Sequence, residues 1–484
     1  MKPLRRLLLG GISVVAAVSL TGAGVGSGKL AITGVNVVDT DSGAVKSDQT
    51  LVVAKGKIAA IVPSAEFRLE PGTRLVEARG KFLIPGFWDM HVHIAGLSAD
   101  PSWSKDAILP LLTAMGITGV RDMGGDLSVL QQWRREIESG KLLGPHIVAG
   151  GPMLVSGGNR TPEQIPIKTP EEAREAVKSL KQEGADFIKV IDLPSREAFF
   201  AVADEAKRQN LPFVGHVPAV VSASEASDAG MRSIEHVVYS NLEMDCAAKE
   251  DELRQAERAA RATHEEGVSA RVLQEAMKSY DPMKAAALWE RFARNGTWLV
   301  PTLVSIEILS RHGTDAATQA HDPHLEYVPA SLRKLWDPDA PANKFPPGER
   351  QWWAQQYIND GKLTAAMIEG RVSLMAGSDS LDRYVLPGFA LHRELQLLRE
   401  AGMTPLEALQ AATRNPAKFL GREQETGTIA KNAQADLVLL NANPLENISN
   451  TTGIFAVVRD GVFLDRTALD ELLNRARAAA KAAH

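Results

Sequence analysis

Two histidines stand one residue apart at the end of the segment Pro85-Gly86-Phe87-Trp88-Asp89-Met90-His91-Val92-His93. Side chains alternate faces along a β-strand, so His91 and His93 point the same way if this run is extended. Two imidazoles on one face at a strand's end can grip one metal ion. A lone His-x-His pair is often accidental, so the remaining candidates matter. Lys189 sits among apolar neighbours in Asp186-Phe187-Ile188-Lys189-Val190, and His216 follows Gly215. His236 closes Ser233-Ile234-Glu235-His236, and Asp379 closes Ala376-Gly377-Ser378-Asp379. Zinc-type ions take imidazole nitrogen and carboxylate oxygen, and their catalytic sites keep one position open for water. Four histidines and an aspartate are enough donors for two ions. A protonated Lys189 beside two dications would be strongly destabilised. As a neutral amine it can take up carbon dioxide and become a carbamate that bridges both ions. The other reading is a buried lysine paired with Asp379 or Glu235, and the residues alone leave both open.

Such residues need elements that bring them to one place. From residue 82 onward, short apolar runs alternate with helix-length segments, the pattern of parallel β/α folding. Strands are expected over Phe82–Met90, Gly119–Met123, His146–Gly150, Phe187–Ile191, Phe213–His216, Ser233–Val237, Trp298–Leu303 and Ser373–Gly377. Helices are expected over Lys105–Met115, Leu127–Ser139, Pro170–Glu183, Ser195–Gln209 and Ser222–Ala229. This order argues for an α/β fold, a closed (β/α)8 TIM barrel spanning 85–425, with reactive residues at the C-terminal ends of the strands. Two connections, at about 240–296 and 304–371, are unusually long. The second carries Tyr327, Trp336, Trp352, Trp353 and Tyr357, and a lid over the barrel mouth is the favoured reading. Residues 29–84 and 426–466 alternate apolar and polar, and are expected to form a composite β-sandwich from both ends of the chain. A C-terminal helix is expected over 467–484.

The chain has 484 residues, is 44% hydrophobic and carries a formal charge of -5. No strong field argues for nucleic acid or an anionic membrane surface. Lys2, Arg5 and Arg6 precede an apolar run from Leu7 to Leu20, and small residues follow. This is a secretory signal pattern, expected to end at about Ala23, with a periplasmic or secreted protein and no membrane span after cleavage. The single cysteine, Cys246, excludes an internal disulfide and reads as a small buried residue.

Taken together, these segments resemble the amidohydrolase superfamily. Pro85 to His93, Gly116-Ile117-Thr118-Gly119-Val120-Arg121-Asp122, Asp186 to Val190, and Ala376 to Asp379 carry the resemblance. So do Pro387-Gly388-Phe389 through Leu395, and Ala435-Asp436-Leu437-Val438. The branch it looks most like contains imidazolonepropionase and exported Xaa-Pro and Xaa-Arg dipeptidases. The resemblance implies that His91, His93 and Asp379 bind a deeper metal and that His216 and His236 bind an outer one. Carboxylated Lys189 would bridge two divalent ions, zinc being expected. A hydroxide between the ions would attack the carbonyl of a dipeptide or N-acyl amino acid, and Asp379 would carry its proton to the leaving amine. The resemblance also implies a homo-oligomer.

Other residues are weighed against ordinary structural roles. Tyr239, three residues beyond His236, could donate to an oxyanion or a substrate carboxylate, or simply pack. His146 and His392 read as structural, and His264, His312, His321 and His324 as surface residues of the long connections. Dipeptidases of the branch tend to carry Gly-Gly-His where this chain has Gly157-Gly158-Asn159. Asn159 can hydrogen-bond substrate but cannot be cationic, which questions dipeptide specificity more than hydrolysis. The rivals are a mononuclear cyclic-amide hydrolase or deaminase on the same barrel, and a metal-free binding barrel. Ala219 and Tyr239 stand where a deaminase His-x-x-Glu would need glutamate. The ligand set is intact, which disfavours the metal-free barrel.

Overall fold

In the computed structural model, the run expected as one strand over Phe82–Met90 is two. The structure describes residues 28–483 except 97–99, 264–267, 312–320, 338–339, 341–342 and 346–347. The expected signal segment, His264 and His312 lie outside the described residues. Phe82–Pro85 pairs with Leu30–Val38 and with Leu437–Leu440, whereas Phe87–Val92 pairs with Ile117–Asp122. The break falls at Gly86. Its N–H donates to the Asp436 carbonyl at 2.8 Å, and a Cβ there would lie 2.1 Å from Thr118 Oγ1. Only glycine lets the chain pass between the two sheets at this point.

The sheet made from the two ends of the chain has eight strands. Its order is Val462–Leu464, Ile454–Arg459, Leu437–Leu440, Phe82–Pro85, Leu30–Val38, Val45–Ala54 and Lys57–Pro63, with Arg74–Glu77 also on Leu30–Val38. It curls until Lys57 bridges Gln434. The enclosed core includes Ile32, Val35, Leu51, Ile58, Leu83, Leu437, Leu439 and Val458.

The strands that carry the candidate ligands are β1 (Phe87–Val92), β2 (Ile117–Asp122), β3 (His146–Ala149), β4 (Ile188–Val190), β5 (Phe213–Gly215), β6 (Ser233–Glu235) and β7 (Trp298–Val300). Ladders join β1 to β2 to β3, and β4 through β7 in order, all in parallel. The Asp186 N–H donates to the Ala149 carbonyl at 2.9 Å and links β3 to the approach to β4. Residues 373–380 run between β7 and β1. Met375 N–H donates to Leu299 O at 2.9 Å, Met90 N–H to Ala376 O at 3.0 Å, and Asp379 N–H to His91 O at 2.7 Å. The sequence reading missed two short strands, Met153–Val155 and Gln164–Pro166, which add to the β4 edge.

Helices Leu109–Ala114, Leu127–Glu138, Pro170–Glu183, Arg196–Arg208 and Ala223–Asp228 fall between the first six strands. Asp126, Thr169, Ser195 and Ser222 cap four of them by accepting backbone N–H bonds. The described parts of the two long connections hold further helices, among them Pro282–Asn295, Leu303–Arg311 and Glu349–Glu369. The chain ends in helix Arg466–Ala482. Among the described residues no helix is long and apolar enough to cross a membrane.

Candidate metal centre

Parallel strands place their C-terminal ends together, and the candidates gather there. His91 lies in β1 with His93 just beyond it, Lys189 is central in β4, and His216 and His236 directly follow β5 and β6. Asp379 sits in the 373–380 segment. His236 (φ 60°), Asp379 (φ 65°) and nearby Thr302 (φ 48°) all occupy the left-handed region. Non-glycine residues pay of order 1–3 kcal/mol for such a conformation, and it persists where surrounding contacts over-determine it. Here the His236 N–H is held by Val300 O at 2.9 Å and the Asp379 N–H by His91 O at 2.7 Å.

The hydrogen bonds fix which imidazole nitrogen is free. His93 Nδ1 faces the Gly124 carbonyl at 3.1 Å, and His91 Nδ1 faces Glu235 Oε2 at 3.0 Å. A carbonyl and a carboxylate only accept, so both Nδ1 atoms carry the proton. Thr302 Oγ1 donates to Pro301 O and therefore accepts from His236 Nδ1, 2.6 Å away. In each case Nε2 keeps its lone pair, which is how outer partners prepare a metal-binding histidine. His91 Nε2 and His93 Nε2 lie 3.3 and 3.4 Å from Asp379 Oδ1. His91, His236 and Asp379 offer donor atoms within 4.8 Å of one another. Ser305 Oγ donates to Asp379 Oδ2 at 3.3 Å.

Lys189 is fully buried, and among the described residues its Nζ has no hydrogen-bond partner. Both Glu235 oxygens are already taken: Oε1 by Arg121 and Ser233, Oε2 by Arg121 and His91. The four bonds use its acceptor capacity, so the pairing of Lys189 with Glu235 considered from sequence is not formed. Burial lowers the Lys189 ammonium to about 8, against the pull of Glu235 and Asp379. Burial and the Lys189 charge hold His91 down at about 3 and His216 well below its ordinary value. His236 is lowered to about 4, chiefly by burial. Burial works against the His93 imidazolium, but the neighbouring Asp379 carboxylate raises it. Burial disfavours the Asp379 carboxylate too, yet the surrounding histidines hold it well below the usual range. The result is an ionised aspartate among mostly neutral imidazoles, with an unpartnered amine beside them. That donor set fits divalent cations.

The Tyr239 ring stacks on His216 (centroids 5.6 Å, 13°) and meets His236 edge-on at 5.2 Å. Trp353, from the second long connection, packs against its edge at 6.2 Å. Tyr239 is nonetheless 39% exposed. Asn159 is exposed in the loop after strand Met153–Val155, with no bond to the clustered ligands. His146 bonds Asp436 at 2.7 Å, and His392 bonds Thr451 and Met115 O, so both tie elements together. Cys246 is buried. Sequence reasoning missed the roles of Glu235, Thr302 and Ser305. The alternation Ser233-Ile234-Glu235 could have placed Glu235 on the inner face, but Thr302 and Ser305 carried no such signal.

The sequence profile of the amidohydrolase family matches residues 82–464, and the chain belongs to that family. It is a hydrolase of carbon–nitrogen bonds. The ochratoxinase of Aspergillus niger is 24% identical over 425 residues, covering 76% of this chain and 71% of that one. Among solved structures, the bottromycin amidohydrolase superposes with a TM-score of 0.69 at 24% identity, covering 93% of this chain and 90% of the other. A Xaa-Pro dipeptidase with methionine in its active site gives 0.65 at 21% identity, covering 90% and 100%.

Proposed function

We propose that this chain hydrolyses the amide bond of a dipeptide or an N-acyl amino acid with two divalent ions, zinc in the first instance. His91, His93 and Asp379 would hold one ion, His216 and His236 the other, and carboxylated Lys189 both. The observation that carries this reading is the shared preparation of the donors. Three histidines are locked with Nε2 free, and Lys189 is buried without a partner. The parallel strands, ordered so that 373–380 returns to β1, support a closed barrel. The charged-then-apolar amino terminus supports export.

When bound, the ions would supply Lewis acidity to the scissile carbonyl and lower the pKa of water toward neutrality. The rest is the work of side chains. Asp379, ionised and steadied by Ser305, accepts the proton released as water adds to the carbonyl. The same carboxyl then delivers that proton to the departing amine, so the C–N bond breaks without expelling an amide anion. Tyr239 donates to the carbonyl oxygen or to the substrate carboxylate. Trp353 restricts how far the Tyr239 ring can turn. The ochratoxinase, dipeptidase and bottromycin amidohydrolase names all denote amide cleavage and support the substrate class.

Elemental analysis of the protein prepared with zinc and bicarbonate tests this directly. Two ions per chain, falling in Lys189→Ala, agree with the proposal, and turnover of dipeptides or N-acyl amino acids should accompany them. One ion per chain, unchanged in Lys189→Ala, would overturn the bridged site and favour a mononuclear cyclic-amide hydrolase.

A further inference from the structure

Arg121 lies in β2, on a strand that supplies none of the proposed ligands, yet it is completely buried among them. Its Nε donates to the Met90 carbonyl at 2.7 Å, the peptide unit that leads into His91. Nη1 donates to Ser233 Oγ at 2.9 Å, and Nη2 reaches both oxygens of Glu235 at 2.8 and 2.9 Å. Ser233 Oγ in turn donates to Glu235 Oε1, closing a ring of hydrogen bonds. The guanidinium plane is flanked by Phe187, 5.7 Å away and two residues before Lys189, and by Phe419 at 5.1 Å. One side chain therefore bonds β1 and β6 and packs against the approach to β4, the strands that present His91, His236 and Lys189.

Burying an arginine costs several kcal/mol unless its donors are satisfied with good geometry. Here the rigid fork is matched to a carboxylate, a hydroxyl and a carbonyl at once, which lysine's single ammonium would reproduce only in part. Glu235 thereby keeps one orientation, with Oε2 aimed at His91 Nδ1. Without Arg121 the carboxylate would be free to rotate toward the charge of Lys189, and His91 would lose the partner that sets its tautomer.

We infer that Arg121 is a positioning residue: it fixes Glu235 so that His91 carries its proton on Nδ1 and presents Nε2 beside Asp379, while it pins β1 and β6 at the level of the ligands. This rests on the metal-hydrolase reading, so its test is arranged to fail separately. The measurements are zinc affinity by competition with a chromophoric chelator, the His91 tautomer by ¹⁵N NMR of the zinc-free protein, and thermal unfolding. They are made on the wild type, Glu235→Gln, Arg121→Met and Arg121→Lys. Glu235→Gln is nearly isosteric and keeps the fold testable if Arg121→Met unfolds.

The expected result is a 10–100-fold loss of zinc affinity in Glu235→Gln and Arg121→Met. A mixed His91 tautomer should accompany it, with partial recovery of both in Arg121→Lys. If Glu235→Gln keeps wild-type zinc affinity and the Nδ1–H tautomer, the inference is overturned and the hydrolase reading stands. If the wild type itself binds no zinc, the reading beneath it falls. Unfolding of Arg121→Met with no tautomer change in Glu235→Gln would make Arg121 a purely structural residue, which also overturns it.

Discussion

At the level of single residues, the proposed chemistry turns on Asp379. It lies close to His91, His93 and Ser305, and it sits in a strained backbone conformation. Asp379→Asn keeps the shape but cannot take a proton, so kcat at saturating zinc should fall about 10²–10⁴-fold, as read by steady-state kinetics. A rate within threefold of wild type would remove Asp379 from proton transfer. Thr302 acts one bond further out, because its hydroxyl receives the His236 Nδ1–H. Thr302→Val preserves volume and removes the acceptor. Zinc affinity should drop about 10–100-fold with little change in unfolding temperature.

At the level of elements, helix Leu303–Arg311 brings Ser305 to Asp379, and its start is held by a side chain from another helix. Glu394, in Phe389–Glu400, accepts the Val304 N–H at 2.8 Å and is fully buried. Burial raises its carboxyl from 4.5 to about 8. The folded state therefore binds the proton more tightly than the unfolded chain does. That contribution is complete below about 4.5 and is lost as pH rises through about 8. Glu394→Gln is neutral at every pH and removes the loss. Denaturant midpoints measured at about pH 6 and about pH 9 should fall more for the wild type than for the variant; equal falls would show that Glu394 is not the group responsible.

Across the whole molecule, the sheet built from both ends of the chain is fastened to the strands of the candidate site through Asp436. This buried carboxylate accepts from Arg459, His146 and the Asp460 N–H, at 3.1, 2.7 and 2.7 Å. Burial opposes its charge, yet Arg459 and His146 hold it far below the carboxylate range. Its own carbonyl accepts from Gly86, at the junction where the chain leaves one sheet for the other. Asp436→Asn leaves Arg459 buried without its counter-charge and should cost about 3–5 kcal/mol in urea unfolding. A cost under about 1 kcal/mol would mean that the Asp436 carboxylate is not what fastens the two units.

The sequence by itself picked out the candidate ligands and the end of the strands where they would gather. Strand alternation dictates that His91 and His93 share a face, and a run of parallel strands brings His216 and His236 to the same end, where the irregular 373–380 segment adds Asp379. The helices between the strands were legible because their apolar periodicity and capping residues are local. Tertiary structure decided the rest. Whether Lys189 finds Glu235, or Glu235 is saturated first by Arg121, Ser233 and His91, depends on the register of strands more than a hundred residues apart in the chain. Thr302 meets His236 only because β7 lies beside β6. The division of Phe82–Met90 between two sheets was equally hidden, because its cause is the space left by Thr118 and the carbonyl of Asp436. Local pattern fixes which face a side chain takes, but only the assembled register fixes which partner it meets there.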